Sequence, residues 1–160
     1  MPKTKQVTFS IPGWVSVALI PNVAEKQAAW KLYVELSTRV TSQPFNRGDS
    51  SVRAAIDSLY VVFQLTREIL KEAGPEVAQD DVSFGPLATR FLMEVLSPFL
   101  LKWHEDLLEY ELKRPDIDPV RAYEQSWGRY GDICLDLVAI QEMTSAYIAA
   151  LAKIAGVHAS

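Results

Sequence analysis

Residues 133–156 read ICLDLVAIQEMTSAYIAALAKIAG, and this stretch decides the fold class. Its apolar seam advances alternately by four and by three residues, through Ile133, Leu137, Ile140, Thr144, Tyr147, Leu151 and Ile154. Such a heptad spacing is typical of a long helix that packs lengthwise against parallel or antiparallel neighbours. Gly156 is the expected terminator. The stretch therefore predicts a helical domain with its core along this seam.

The predicted seam helix begins well before the quoted stretch. Asp118 is expected to cap it, and Pro119 to occupy its first position, where a missing N–H is tolerated. Gly128 and Gly131 have low helix propensity. We therefore expect a bend or a break near residues 126–131.

A capping box marks the start of the first helix. Asn22 stands three residues before Glu25, so each side chain can accept a hydrogen bond from the other's backbone N–H. The apolar stripe that follows comprises Ala29, Leu32, Tyr33, Leu36 and Val40, and Trp30 is also assigned to the core. We expect this helix to end before Pro44.

The second helix follows the loop QPFNRGDSS. Asp49 or the serines after it are expected to cap this helix, and Gly74 with Pro75 to end it. Its apolar seam comprises Val52, Ile56, Leu59, Phe63 and Leu70, with Ala55, Val62 and Ile69 beside it. Residues 75–85 then form a polar loop.

The third helix is predicted to begin near Pro86. Its buried face comprises Leu92, Leu96, Phe99, Trp103 and Tyr110. Pro98 interrupts this helix, because proline lacks a backbone N–H and clashes with the preceding turn. Either the helix kinks there, or it stops and restarts with Ser97 as its cap. The apolar phase runs through Pro98 without a jump, which favours the kink.

Four amphipathic helices joined by loops of moderate length favour an all-α, antiparallel four-helix bundle over residues 22–157. Residues 1–21 differ, because QVTFSI and WVSVALI both alternate polar and apolar positions. A three-residue loop between these runs would put six apolar side chains on one face: Val7, Phe9, Ile11, Val15, Val17 and Leu19. This pattern predicts a β-hairpin, with an extended arm as the alternative. A lone hairpin is marginal in water, so the segment must dock on the domain or on a partner.

Composition argues against several classes of protein. Hydrophobic residues make up 49% of the chain and charged residues 22%, as in ordinary globular domains. The net charge is −4 and the basic residues are scattered, which argues against nucleic-acid binding. A single cysteine, Cys134, excludes an intrachain disulfide and suits the cytoplasm. No apolar stretch of the sequence approaches the ~18–20 residues that span a bilayer, so no membrane is expected.

The sequence contains no recognisable catalytic motif. The histidines lack the Glu-x-x-His spacing of di-iron bundles and the HExxH spacing of zinc sites, so no metal and no cofactor are expected. Cys134 is interpreted as a buried thiol. Tyr60 and Arg67 border the seam of the second helix, and with His104 they could line a ligand pocket. Alternatively, Arg67 pairs with Glu94 or stays solvated, and His104 only packs at the edge of the core.

These patterns favour a non-catalytic protein-binding module or subunit that acts through a protein partner or a second copy of itself. Trp14 at the hairpin tip and Trp127 beside Gly128 are candidate exposed anchors, since aromatic residues are enriched at interfaces. Packing of both tryptophans against the ends of the bundle is the alternative. The rival functional hypothesis is a small-ligand-binding or catalytic bundle with its pocket at Arg67, Tyr60 and His104.

Three phrases carry a resemblance to known proteins: AAWKLYVELSTRV, SPFLLKWHEDLLEYELKRP and LAKIAGV. In these phrases the chain resembles a family of small, mostly bacterial, all-helical proteins without an assigned activity, over residues 11–157. The resemblance implies a helical fold and an association with multi-gene signalling or defence loci. It implies no functional residues, because the family supplies no catalytic or binding motif.

Overall fold

The computed structural model describes residues 5–39 and 45–158. Within these residues the chain is mostly helical, with two strands and five helices, which confirms the predicted helical fold and its N-terminal hairpin. The strands are β1, Val7–Phe9, and β2, Val17–Leu19. The helices are α1, Val23–Ser37; α2, Val52–Ala73; α3, Phe84–Leu112; α4, Val120–Gln125; and α5, Tyr130–Ala155. A 3₁₀ turn, Pro75–Ala78, lies between α2 and α3.

The N-terminal segment is a hairpin and not an extended arm. β1 and β2 pair antiparallel, with Val7 opposite Leu19 and Phe9 opposite Val17. This is the register that a three-residue loop predicts. Phe9 and Leu19 are buried, and Val7 and Val17 are partly buried against the same core. The apolar face of the hairpin therefore docks on the chain's own helices.

One residue of the predicted hairpin face is placed differently. Val15 is 84% exposed, whereas Ile11, its predicted partner, is fully buried. The ladder ends before these residues, and the chain turns there, with the Trp14 N–H donating to the Ile11 carbonyl at 2.9 Å. Because the turn rotates the chain out of the strand geometry, Val15 no longer shares the face of Val17.

The ends of the first two helices follow their sequence signals. Asn22 and Glu25 form both hydrogen bonds of the capping box, at 2.8 and 3.1 Å. Ser51 caps α2, and Gly74, at φ +77°, ends it. Positive φ costs glycine little, which explains the stop at this position. Val40 and Pro44, on which the predicted end of the first helix depends, lie outside the described residues.

Helix α3 continues through Pro98, so the alternative of a break and restart there is wrong, and the helix is continuous as the favoured prediction of a kink requires. The helix is α-helical over Phe84–Phe91 and over Ser97–Leu112, and a π-helical turn, Leu92–Leu96, joins the two parts. In this turn the Ser97 N–H donates to the Leu92 carbonyl. The wider turn adds a residue directly before the proline, and π-turns and prolines are both recognised sites of helix distortion.

The predicted interruption near residues 126–131 is confirmed, because α4 ends at Gln125 and α5 begins at Tyr130. The predicted cap at Asp118 is wrong. Pro119 is the residue that precedes α4, and no side chain caps the helix. The Asp118 carbonyl instead accepts a hydrogen bond from Arg114 Nη1 at 2.6 Å.

The seam of α5 is buried at every predicted position except Ile140, which is half-buried. Its contacts with α3 run antiparallel along the two helices. Phe91, near the start of α3, stacks on Tyr147, with ring centroids 4.0 Å apart. Later in α3, the indole N–H of Trp103 donates to Asp136, at the start of α5, at 2.8 Å.

Two buried glutamates join helix ends that are distant in sequence. Glu25 also accepts a hydrogen bond from the Phe84 N–H, at the start of α3, at 2.8 Å. Glu124 accepts from the N–H groups of Val52 and Arg53, at the start of α2, at 2.8 and 3.2 Å. A carboxylate at a helix N-terminus satisfies free N–H groups and interacts favourably with the helix dipole. The sequence analysis assigned Glu25 only to the capping box and gave Glu124 no role, so it missed both of these contacts.

Candidate functional site

The structure brings together two of the three predicted ligand-binding residues. Tyr60 and His104 meet edge to face, with ring centroids 4.8 Å apart. Arg67 is exposed rather than bordering the core, and within the described residues no hydrogen bond or ion pair joins it to either ring. Glu94, its predicted alternative partner, pairs with Arg90 at 2.7 Å. A pocket formed by all three side chains stays a prediction.

His104 packs as a residue at the edge of the core. Its side chain is half-buried, and its buried Nδ1 has no hydrogen-bond partner in the part of the chain that the structure describes. The adjacent Trp103 is fully buried. Within KWHED, Trp103 is therefore a core residue and His104 packs at the edge, while Lys102, Glu105 and Asp106 are exposed. A ligand role for His104 stays a prediction.

The two candidate anchor tryptophans are both half-buried against the core. Trp14 lies under the Arg90 guanidinium, 4.0 Å from its ring centroid. Trp127 packs against Trp103 and Tyr110, with ring centroids 5.9 and 5.5 Å away. Both contacts match the alternative of packing at the ends of the helices. An interface role for either tryptophan stays a prediction.

Trp30, which the sequence assigned to the core, is 48% exposed. It stacks on Tyr33 at 5.8 Å and lines a surface groove between α1 and α2. The buried face of α1 instead consists of smaller side chains, namely Ala28, Ala29, Leu32 and Leu36. The position of the neighbouring helices decides which edge of a broad apolar stripe is covered, and the stripe alone does not reveal it.

A polar pair sits beside the buried Trp103. Asp136 accepts hydrogen bonds from the Trp103 indole and from the Lys102 ammonium, each at 2.8 Å. Burial raises the pKa of Asp136, but these two bonds and the nearby Arg129 outweigh it and hold the pKa below its usual value. The pair fixes the spacing of α3 and α5 where the two helices meet the solvent.

The single cysteine is not an activated nucleophile. Cys134 is buried, and burial raises the pKa of its thiol despite a hydrogen bond with Tyr130. A reactive cysteine needs a lowered thiol pKa. No group of three or more His, Cys, Asp or Glu side chains that could hold a metal lies within residues 5–39 and 45–158. The expected absence of a metal nevertheless stays a prediction.

Several grooves mark the described surface, and four of them are described here by their lining residues. One of about 680 Å³ lies between the end of α2, the 3₁₀ turn and the start of α3. Two others, of about 180 and 360 Å³, lie beside Trp14 and between α1 and α2. The fourth, of about 320 Å³, runs between α3 and α5. Arg67, Tyr60 and His104 line none of these four grooves.

The groove between α3 and α5 is lined by both helices, and on each of them an exposed leucine stands next to it in sequence. Its walls comprise Glu94, Val95, Pro98, Phe99 and Lys102 from α3, and Asp136, Ala139, Ile140 and Met143 from α5. Leu101, next to Lys102, is 81% exposed, and Leu135, next to Asp136, is 70% exposed. We call the groove together with Leu101 and Leu135 the α3–α5 face. The sequence interpretation missed this face, because the outward apolar residues of α5 lie outside its heptad seam.

Within the described residues, two helices are long and apolar enough to cross a membrane by length and composition alone. The expectation that no membrane is involved stays a prediction. Core helices of soluble proteins can meet the same criterion. In the most apolar 18-residue stretch of α3, which we call its apolar window, 56% is buried, as in a core helix. In the corresponding apolar window of α5, only 33% is buried. Two large apolar side chains of α5 are exposed, Leu135 at 70% and Val138 at 41%.

No family model, no curated protein and no solved structure matches this chain. The resemblance to small, mostly bacterial helical proteins therefore stays a prediction.

Proposed function

We propose that this chain is a cytoplasmic, non-catalytic protein-binding module, a subunit of a multiprotein system, and that its α3–α5 face receives a protein partner. One observation carries the proposal: the apolar window of α5 is only one-third buried in its own domain. Large exposed apolar surfaces are uncommon on monomeric proteins and mark interaction sites.

An antiparallel four-helix bundle made of α1, α2, α3 and α5 is the proposed scaffold. Lys31 pairs with Glu72 between α1 and α2, at 2.6 Å. Arg53 Nε donates to both oxygens of Glu111 between α2 and α3, at 3.1 and 2.9 Å. In this arrangement the seam of α5 faces the centre of the bundle, and the α3–α5 face lies on its outer surface.

The hairpin no longer supports the binding hypothesis. Its apolar face is satisfied internally, because Phe9 and Leu19 are buried and Lys153 Nζ donates to the Thr8 carbonyl at 3.0 Å. The support comes instead from α5, where Leu135 remains exposed. The rival hypothesis of a ligand pocket has less support, because Arg67 is exposed and lines none of the four grooves described above.

The shape of the α3–α5 groove suits a segment of protein better than an enclosed small molecule. Small-molecule sites bury most of the ligand surface in a concave pocket. This groove is an open channel between two antiparallel helices, and the exposed Leu101 and Leu135 are sequence neighbours of its lining residues Lys102 and Asp136. Recognition of a helix in a groove uses this geometry.

Comparative affinity capture from the native host tests the proposal. The baits are the full-length wild type, Leu135→Glu and the control Leu112→Glu. Leu112 is also an exposed leucine, 78% exposed, and lies ten residues along α3 from Lys102, about 15 Å away. We expect a specific protein that the wild type and Leu112→Glu recover and that Leu135→Glu loses. Recovery of the same proteins by all three baits would contradict the proposal, once circular dichroism shows equal folding.

A further inference from the structure

We propose that the α3–α5 face binds an amphipathic helix whose apolar side is flanked by basic residues. The inference rests on the proposed function and specifies the chemistry of the partner. It follows from the shape of the groove and from the acidic side chains around it.

The groove has the length and lining for a helical ligand. One end lies at Glu94 and Met143, and the other at Lys102 and Asp136. The eight residue steps from 94 to 102 rise about 12 Å, which is roughly two helical turns. A ligand helix with apolar side chains at positions i, i+3 or i+4, and i+7 spans the same distance. Val95, Pro98 and Ile140 form the apolar floor that such anchors would contact.

The charged groups that line the groove already have partners. Lys102 pairs with Asp136, and Glu94 pairs with Arg90, at 2.8 and 2.7 Å. Each carboxylate that lines the groove therefore has a basic partner, and the two pairs together carry no net charge. Any charge preference of the face therefore comes from the residues around it.

Three exposed acids lie near the groove residues in sequence and have no basic partner among the described residues. Glu105 lies three residues after Lys102, Asp132 four residues before Asp136, and Glu142 beside Met143. Helix spacing places the first two on the same sides of α3 and α5 as the groove. None of the ion pairs within the described residues uses Glu105, Asp132 or Glu142, so the three contribute a charge of −3. Complementary charge around an apolar groove favours a basic ligand.

The same charges disfavour two other occupants. A second copy in a symmetric contact would bring these acids close to their equivalents. An anionic membrane surface would repel them, and the whole chain carries a net charge of −4. A basic amphipathic helix meets neither obstacle.

Fluorescence anisotropy with the full-length protein tests the inference. The probes are two labelled peptides of about 18 residues, or five helical turns. They share one leucine stripe at i, i+3, i+7 and i+10 and differ only in lysine or glutamate flanks. The proteins are the wild type, Leu135→Glu, Leu112→Glu, and a triple variant with Glu105→Lys, Asp132→Lys and Glu142→Lys.

We expect the lysine peptide to bind the wild type and Leu112→Glu at least about tenfold more tightly than the glutamate peptide, since three favourable surface pairs at a few tenths of a kcal/mol to 1 kcal/mol each supply that factor. Added salt should reduce the preference, the triple variant should reverse it, and Leu135→Glu should weaken binding of the lysine peptide.

Equal binding of the two peptides, or no binding of either, would overturn the inference. Self-association of the wild type, or binding to anionic vesicles, would overturn it too if Leu135→Glu abolished either. The capture experiment remains an independent test. Loss of a partner with Leu135→Glu there would preserve the proposed function even after the peptides had failed.

Discussion

The N-terminal hairpin and helix α5 show opposite outcomes of apolar patterning. The hairpin pattern suggested a segment that needs a partner, yet Phe9 and Leu19 are buried within the same chain. The α5 pattern suggested a self-sufficient core helix, yet its apolar window is only one-third buried. The comparison teaches that periodicity identifies an apolar face but not what covers it. An interaction surface is found by comparing the apolar residues of a helix with the fraction of them that the structure buries.

The largest expected effect lies on the inward side of the contact between α3 and α5. Trp103→Ala should cost about 3–5 kcal/mol, because it empties a fully buried site and removes the hydrogen bond to Asp136. His104→Gln at the neighbouring half-buried position should cost little. Urea denaturation of both variants measures the difference. A wild-type denaturation midpoint for Trp103→Ala would show that Trp103 does not stabilise the core.

The next largest loss of stability is expected for a substitution in the hairpin. Phe9→Ala should cost about 3 kcal/mol, because it truncates a buried aromatic side chain at the edge of the core. Val15→Ala, on the exposed side of the turn, should stay within about 0.5 kcal/mol of the wild type. Both values should be independent of protein concentration, since the docking is internal. A loss for Phe9→Ala that shrinks as concentration rises would indicate docking between chains and would reverse the comparison.

Asp136 lies at the boundary between the buried and exposed sides of α5, and its contribution to folding stability depends on pH. The pKa of its carboxyl is lowered in the folded state, so its stabilisation is present above the unfolded pKa of about 3.9 and is lost as pH falls through the folded value. Asp136→Asn should therefore flatten the acid side of the stability profile. Lys102→Met should remove part of the same dependence. An unchanged profile in both variants, followed by denaturation from pH 2 to 7, would contradict this assignment.

The smallest effect belongs to a buried hydroxyl on the seam of α5. Tyr147 is fully buried, and its hydroxyl has no hydrogen-bond partner among the described residues, so burial raises its pKa well above the usual value. Tyr147→Phe should be neutral or stabilising by up to about 1 kcal/mol. Tyr110→Phe should instead lose about 1 kcal/mol, because that hydroxyl donates to the Tyr123 carbonyl at 2.6 Å. Thermal denaturation of the pair distinguishes the two cases, and a destabilised Tyr147→Phe would show that its hydroxyl has a partner.

Much of the fold could be predicted from local signals. The capping box at Asn22 and Glu25, the stop at Gly74 and the hairpin register all depend on neighbouring residues, and all are confirmed. The cap of α4 and the turn at Val15 could not be predicted as well, because small changes of backbone direction decide them. The wider π-turn before Pro98 has no clear signature in the apolar pattern, which stays in phase through the proline.

Less of the candidate site could be predicted, because it depends on contacts between helices. A helical wheel places Arg67 at the border of the seam, but it does not show where the neighbouring helix lies, and Arg67 is exposed. Glu124 reads as one acid among many until α4 places it at the start of α2. The α3–α5 face likewise combines two segments of the chain, residues 94–102 and 136–143, whose centres lie about forty residues apart.

Carbene footprinting with residue-level mass spectrometry tests the central claim most directly. It is applied to the full-length protein alone and to the complex captured from the native host. In the free protein, Leu135 should be labelled and Phe9 protected. In the complex, Leu135 and Leu101 should become protected while Leu112 stays labelled. Unchanged labelling of Leu135 in the complex, or release of Phe9 on binding, would show that the partner uses another surface and would contradict the account.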